Sequence, residues 1–188
     1  MNLNKEPAAF NVIDHYVNTL SPQIIVFLGP SASGKDYLLN AYCNSRNKRR
    51  IISTTTRPIR DGEVNGVDYW FCNDDEFKSL PLLAVRNYST FVNKVKDVWW
   101  YGVHPKELST EGCIILDYKG FVEIGNYFNV IGFYLDVDEE TRTNRAKRRG
   151  SFDIHEWNRR LIDDRIAFKE AMFDDRIFIV SNKETKCE

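Results

Sequence analysis

The sequence predicts a three-layer α/β fold around a parallel central sheet, and three observations predict it. Short apolar runs recur at Ile24–Leu28, Cys113–Leu116, Val130–Leu135 and Ile177–Val180, the pattern of strands buried on both faces. Helical periodicity fills the segments between them, and alternating strands and helices imply a sheet covered on each side. A glycine loop joins the first apolar run to the helix after it, which is strand, loop, helix in order.

That loop is Gly29-Pro30-Ser31-Ala32-Ser33-Gly34-Lys35, with the spacing G-x-x-x-x-G-K. Glycines let backbone N–H groups wrap a phosphate chain, and the helix behind adds the positive end of its dipole. Lys35 supplies a mobile point charge to the distal phosphates. The residue after the lysine is ordinarily Ser or Thr, whose hydroxyl meets Mg²⁺, but here it is Asp36. Two readings of Asp36 stand level: a metal-side carboxylate replacing the hydroxyl, or a first-turn acid that steadies the helix N-terminus.

From the N-terminus, Phe10, Ile13, Val17 and Leu20 fall at helical spacing, so residues 7–20 read as an amphipathic helix on the edge of the core. Ser21-Pro22 ends it. The helix behind the glycine loop runs into a basic patch at Arg46–Arg50, and Ile51-Ile52 reads as a second short strand. The stretch from Ser53 to Phe71 mixes β-formers, the turns Asp61-Gly62 and Asn65-Gly66, and the arginines Arg57 and Arg60; it reads as a small β lobe. Asp74-Asp75-Glu76 marks a helix start. Residues 82–85 and 88–95 read as strands, followed by the aromatic run Trp99-Trp100-Tyr101, of which Tyr101 beside Gly102 is placed at a ligand. Residues 105–108 fit a brief helix. Asp117 ends the apolar run at Cys113–Leu116, at the strand edge where open α/β sheets bind ligands. Residues 139–149 form a basic helix, Gly150-Ser151 interrupts it, and a second helix is predicted over residues 153–173.

The totals narrow the function classes. A chain of 188 residues suits one domain, read as a core of residues 21–52 and 110–188, a lobe of about 53–103 and a lid of about 142–158. The formal net charge of −1 gives no global basic field toward nucleic acid or an anionic membrane. Cys43, Cys72, Cys113 and Cys187 have no C-x-x-C spacing, which argues against zinc and for reduced thiols in a cytoplasmic setting. No signal-peptide pattern or membrane-length apolar run is present in the sequence. A monomer or homodimer acting on small molecules is expected.

Cations cluster where a highly negative transition state needs them: Lys35, then Arg57 and Arg60, then Arg142, Arg145, Arg148, Arg149, Arg159 and Arg160 around the Gly150 break. Asp117 is the second candidate for the Mg²⁺ side, against the plainer reading of a strand-ending cap. His104 and His155 have no nucleophile in a recognisable arrangement and read as structural.

These residues resemble the guanylate kinase family of P-loop nucleoside monophosphate kinases, over roughly residues 24–182. The most specific match is Ser53-Thr54-Thr55-Thr56-Arg57 through Arg60, Gly62-Glu63, Asn65-Gly66, Asp68-Tyr69 and Phe71. Asp75-Glu76-Phe77, Tyr101-Gly102, Ile115-Leu116-Asp117, Arg145 with Arg149-Gly150, Asn158-x-Arg160-Leu161 and Val180-x-Asn182 continue it in order. The resemblance implies a P-loop kinase fold with a β lobe for the acceptor nucleotide and a helical lid. It implies ATP as phosphoryl donor, with Mg²⁺, and GMP or dGMP as acceptor. Gly29, Pro30, Ser31, Ala32, Ser33, Gly34, Lys35 and Asp36 would hold the ATP phosphates, with Asn182 near its adenine. Ser53, Arg57, Arg60, Tyr69, Tyr101, Asp117 and Lys119 would face the acceptor. Lys35, Arg145, Arg149 and Arg160 would act on the transferring group.

The sequence also departs from the family. Members read guanine partly with a Glu ahead of the Tyr-Gly pair and an Asp two places beyond the strand-end Asp. Here no Glu occurs between Glu76 and Glu107, the Glu position falls near Ala84 or Val92, and the second Asp position is Lys119. Asp97 is the nearby carboxylate that could substitute. The acceptor alternatives therefore stay open: a modified deoxynucleotide or a ribose 1,5-bisphosphate-like sugar phosphate. A non-catalytic guanylate kinase-like binding module is the remaining reading.

Overall fold

The structure, a computed structural model, describes residues 6–92, 95–148 and 152–181. Four parallel strands form the central sheet in the order β6 (Gly112–Ile115), β1 (Ile24–Leu28), β7 (Val130–Asp136), β8 (Ile177–Ser181). All five residues of β1 are buried. Its side chains alternate between two cores, which is why the run is apolar without a break. Ile25 and Phe27 pack with Phe10 and Ile13 of α1 (Ala9–Leu20) and Leu38, Leu39 and Tyr42 of α2 (Lys35–Arg46). Ile24, Val26 and Leu28 pack on the opposite face with Phe121 and Ile124 of α5 (Tyr118–Gly125). The three layers expected from the alternation of elements are thus formed, and no helix among the described residues is long and apolar enough to cross a membrane.

A second, mixed sheet lies beside the first in the order β3 (Trp70–Phe71), β2 (Thr54–Thr55), β5 (Val95–Val103), β4 (Leu83–Val92). Between β3 and β4, α3 (Asp74–Ser79) begins with a full capping box: Asn73 accepts from the Glu76 N–H, and Glu76 accepts from the Asn73 N–H. After β5, α4 (Pro105–Leu108) leads into β6, and β7 is followed by α6 (Glu139–Arg148) and α7 (Ile154–Ala167).

Four details differ from the sequence expectations. Residues 51–52 form no strand: the Ile51 N–H donates to the Cys113 carbonyl at 2.8 Å, and the chain then leaves the central sheet to pair at β2. The two strands expected at residues 82–85 and 88–95 are one strand, β4, kinked where its register shifts between Leu83 and Arg86. Its partner β5 carries the aromatic run, so period-2 alternation sends Trp100 against Phe77 and turns Trp99 and Tyr101 to the other side. The last long helix stops at Ala167, because Phe168 and Ala171 turn into the core and the chain tightens into a 3₁₀ turn at Ala171–Phe173. Helix α5 was not expected; Asp117 starts it by accepting the Gly120 N–H at 2.7 Å.

Candidate active site

The glycine loop leaves β1 at Gly29 and enters α2 at Lys35. Gly29 (φ 143°) and Gly34 (φ 95°) take conformations open to glycine, and a Cβ on Gly29 would stand 3.0 Å from the Leu135 carbonyl. Ala32 sits at φ 60° with a side chain in the left-handed region. The Ser33 hydroxyl is buried with no hydrogen-bond partner among the described residues. A spare donor inside a loop of backbone N–H groups fits an anion. The Lys35 ammonium donates to the Gly29 and Pro30 carbonyls at 2.7 and 2.9 Å.

Helices α6 and α7 brace this loop. Arg145 donates to the Ser33 carbonyl at 2.9 Å, and Arg142 to the Ser31 carbonyl at 3.3 Å. Asp164 of α7 accepts both the N–H and the hydroxyl of Ser31, at 2.8 and 3.1 Å, and pairs with Arg142 at 3.4 Å. Burial pushes the Asp164 carboxyl above its usual range, although the Ser31 bonds, Lys35 and Arg142 pull the other way.

A cleft of about 320 Å³ runs from the loop to the β lobe. Gly29, Ser31 and Lys35 line one end; Ser53, Arg60, Tyr69, Tyr101 and Asp117 line the other, and Arg160 of α7 joins them. A neighbouring hollow takes in Arg57, Arg60, Tyr69, Tyr101 and Asp36. Arg57 is buried and held by a two-toothed pair with Glu63 at 3.0 and 2.8 Å, with Tyr69 and Phe71 under its guanidinium at 5.3 and 5.5 Å. Glu63 also accepts the Arg60 N–H at 2.8 Å, so one carboxylate sets both arginines. Burial, then the Asp36 charge, push the Tyr69 phenol up to about 12, which keeps it a proton donor at neutral pH.

The expected residues therefore divide. The structure brings Lys35, Ser53, Arg60, Tyr69, Tyr101, Asp117 and Arg160 to one cleft, and Arg145 to the loop's outer side. Lys119 is exposed in the first turn of α5 and is not among the cleft-lining residues. Asp97 bonds the Trp99 indole N–H at 2.8 Å and likewise does not line the cleft. Arg149 and Asn182 lie outside the described residues. Asp36 is well exposed, 3.8 Å from Arg50, and lines the hollow beside Arg57 and Arg60, whereas Asp117 lines the main cleft. Among the described residues no three His, Cys, Asp or Glu converge as a metal cage. The donor set fits a Mg²⁺ carried on nucleotide phosphates with at most one carboxylate from the chain.

Several cleft residues carry no signal in the sequence. Arg86 and Tyr88 come from the β4–β5 hairpin, while Asp163 and Asp164 come from α7; Trp99 joins them from the aromatic run. On α7 the stripe Arg160, Asp163, Asp164, Ala167 is a helical face at i, i+3, i+4, i+7, the one pattern that could have flagged it.

Comparisons with known proteins agree with this geometry. The guanylate kinase family model matches residues 21–84, from just before the first strand to the start of β4. The guanylate kinase of Rickettsia prowazekii is 34% identical over 137 residues, 65% of this chain and 67% of that protein. That of Neisseria gonorrhoeae is 28% identical over 166 residues, 86% of this chain and 80% of that protein. The crystal structure of guanylate kinase from Anaplasma phagocytophilum has the same fold, with a TM-score of 0.56 at 19% identity over 87% of this chain and 78% of that one. A P-loop kinase fold, a cleft joining the loop to paired arginines and tyrosines, and a relative matched over two thirds of its length place this chain in the guanylate kinase family.

Proposed function

We propose that the chain transfers the γ-phosphoryl group of ATP to the phosphate of a guanosine or deoxyguanosine 5′-monophosphate, giving the diphosphate and ADP. One observation carries the reading: Lys35 of the glycine loop, Arg60 of the β lobe and Arg160 of α7 line a single cleft. Cations from three elements converge where a donor and an acceptor phosphate would meet. Lys35 exchanges the Gly29 and Pro30 carbonyls for phosphate oxygens. Arg57, Arg60, Tyr69 and Tyr101 hold the acceptor phosphate; Arg60 and the two tyrosines line both hollows. An oxygen of that phosphate attacks the γ-phosphorus in line, and the bond to the ADP oxygen breaks. No general base is required, since the attacking group is already anionic. Arg145, Arg149 and Arg160 offset the charge on the transferring group. Mg²⁺ on the ATP phosphates supplies further charge neutralisation, with Asp36 the carboxylate nearest the loop in sequence. Residues 53–103 serve as the acceptor lobe and 142–158 as the lid, whose closure excludes water and suppresses hydrolysis.

A second acceptor class is favoured by one observation. Of the two positions where the family's carboxylate would fall, Ala84 and Val92, Ala84 puts only a methyl group on the cleft. ADP release with ATP and a panel of GMP, dGMP, other monophosphates and a sugar phosphate tests both readings. Strong turnover of GMP or dGMP supports the first, and turnover of a sugar phosphate alone supports the second. Lys35→Ala should lower turnover by roughly 100-fold or more, as loss of a transition-state cation does. Intact ATP binding with no turnover of any acceptor would point to a non-catalytic module.

A further inference from the structure

The glycine loop contains a residue whose own chemistry opposes its conformation. Ala32 sits at φ 60°, left-handed, between Ser31 and Ser33. Such a backbone crowds the β-carbon of any residue but glycine, so it persists only where the surroundings impose it. Gly29 and Gly34, the loop's other residues of positive φ, meet no such penalty.

What imposes it lies on both sides of Ala32. Every polar group of Ser31 is held from α6 and α7. Asp164 of α7 accepts the Ser31 N–H at 2.8 Å and its hydroxyl at 3.1 Å, and Arg142 of α6 donates to the Ser31 carbonyl at 3.3 Å. Beyond Ala32, Arg145 of α6 donates to the Ser33 carbonyl at 2.9 Å. Asp164 and Arg142 pair at 3.4 Å with side chains only 14% and 9% exposed, and the Arg142 Nε is fixed in turn on the Val137 carbonyl at 3.2 Å. Hydrogen bonds to ionised groups in so dry a place are the stronger kind. The pairing also brings a carboxylate to the phosphate end of the cleft without net charge. Two helices distant in sequence thus hold the loop's strained residue by its neighbours before and after.

We propose that Asp164 is a positioning residue for the donor nucleotide: by clasping Ser31 it holds Ala32 left-handed and keeps the glycine loop in its phosphate-binding shape. This rests on the ATP-dependent kinase reading above and makes donor binding depend on α7. Without the carboxylate, Ser31 loses two of its three anchors, and Ala32 relaxes toward the backbone conformations that a side chain prefers. The fraction of loops ready for a phosphate chain falls, and the apparent Kd for ATP rises in inverse proportion. Asp164 acts through Ser31 and not on the nucleotide itself.

A glycine at position 32 supplies the discriminating test, because glycine takes the left-handed conformation without a clasp. Binding of Mg²⁺-ATP is measured by titration calorimetry on the full chain, on Asp164→Ala, on Ala32→Gly and on the double variant, each checked by melting temperature. Asp164→Ala should raise the Kd for ATP by roughly 5- to 30-fold, the factor that corresponds to the cost of one left-handed residue. In the Ala32→Gly background the same substitution should raise it by no more than about a third as much, since the two sites are coupled through Ser31. A general packing role for Asp164 would not be relieved by that glycine. An unchanged or lower Kd in folded Asp164→Ala overturns the proposal and leaves Asp164 a contact between α7 and the loop. An equal rise in both backgrounds overturns it too, because Asp164 would then act on ATP without Ala32. If Asp164→Ala does not fold, Asp164→Asn, which keeps an oxygen for the Ser31 N–H but loses the charge, is measured in the same two backgrounds and judged by the same comparison. In each of these cases the full chain still binds ATP and the kinase reading survives. A full chain that binds no ATP brings down the kinase reading and this inference with it.

Discussion

Asp164 ties the glycine loop to acid stability. It grips Ser31 through two hydrogen bonds, yet burial keeps its carboxyl raised. A raised carboxyl means that the folded state holds a proton more tightly than the unfolded chain, so this group adds stability as pH falls through its folded value. Other acids run the opposite way. Burial pushes Glu63 and Glu156 up, but bonds from Arg57 to the first and from Arg159 and Arg160 to the second outweigh it and leave both lowered. Arg176 holds Asp174 low. Their stability is present at neutral pH and is lost as pH falls through their depressed values. Melting temperature should therefore decline on acidification from about pH 5 to pH 3, a range that starts just above the ordinary carboxylate values and runs below them. Asp164→Asn removes the opposing contribution, so its melting temperature should fall more steeply than the wild type's over that range. Parallel curves measured by thermal denaturation would disprove the assignment. The residue scale also marks what a sequence can reveal. Lys35, Arg60, Tyr69, Tyr101 and Asp117 were legible because fixed spacings or a strand end carry them. Arg86 and Asp164 were not, because each gains its role from a partner far away in sequence, Glu123 or Ser31. Lys119 shows the converse: an unusual charge at an expected position, which the first turn of α5 carries outward.

At the scale of elements, the contact between α5 and β4 holds the kink where Ala84 and Arg86 reach the cleft. Ala84 takes φ 50° at the kink, a costly conformation for a residue with a side chain. What holds it there is Glu123 of α5, which accepts the Ala84 N–H. Removing that acceptor leaves a buried donor unpaired, so Glu123→Ala should cost about 1–3 kcal/mol in denaturant unfolding. Glu123→Gln retains an oxygen for the N–H and should cost less than half as much, while still loosening Arg86 by removing the charge. Equal losses for the two variants would mean that the charge pair, not the backbone bond, carries the contact. The elements were legible in the sequence where periodicity was strong, as for β1, β7 and β8. The hairpin was misjudged because its two strands differ in burial along their length and the kink breaks their alternation. Helix α5 carries little signal because it is short and its start residue, Asp117, also fits a ligand-binding strand end.

At the scale of the whole molecule, two sheets face one cleft, and each supplies part of its lining. The parallel sheet positions the glycine loop; the mixed sheet positions Arg60, Tyr69 and Tyr101. Nothing in a local stretch of sequence says that these halves meet, although the order of elements allows few other arrangements. If the halves bind separate partners, each should stabilise the fold by itself. A ligand at 100 times its Kd adds about 2.7 kcal/mol, which for a chain of this size raises the melting temperature by roughly 5–11 °C. ATP with Mg²⁺ and GMP should each give a shift of that order in the wild type. Lys35→Ala should lose most of the ATP shift and keep the GMP shift, because Lys35 belongs to the loop end of the cleft. Arg60→Ala should do the reverse, since Arg60 sits on the β lobe. If either variant lost both shifts equally, the cleft would have to be one indivisible site, and the division into a donor half and an acceptor half would be wrong.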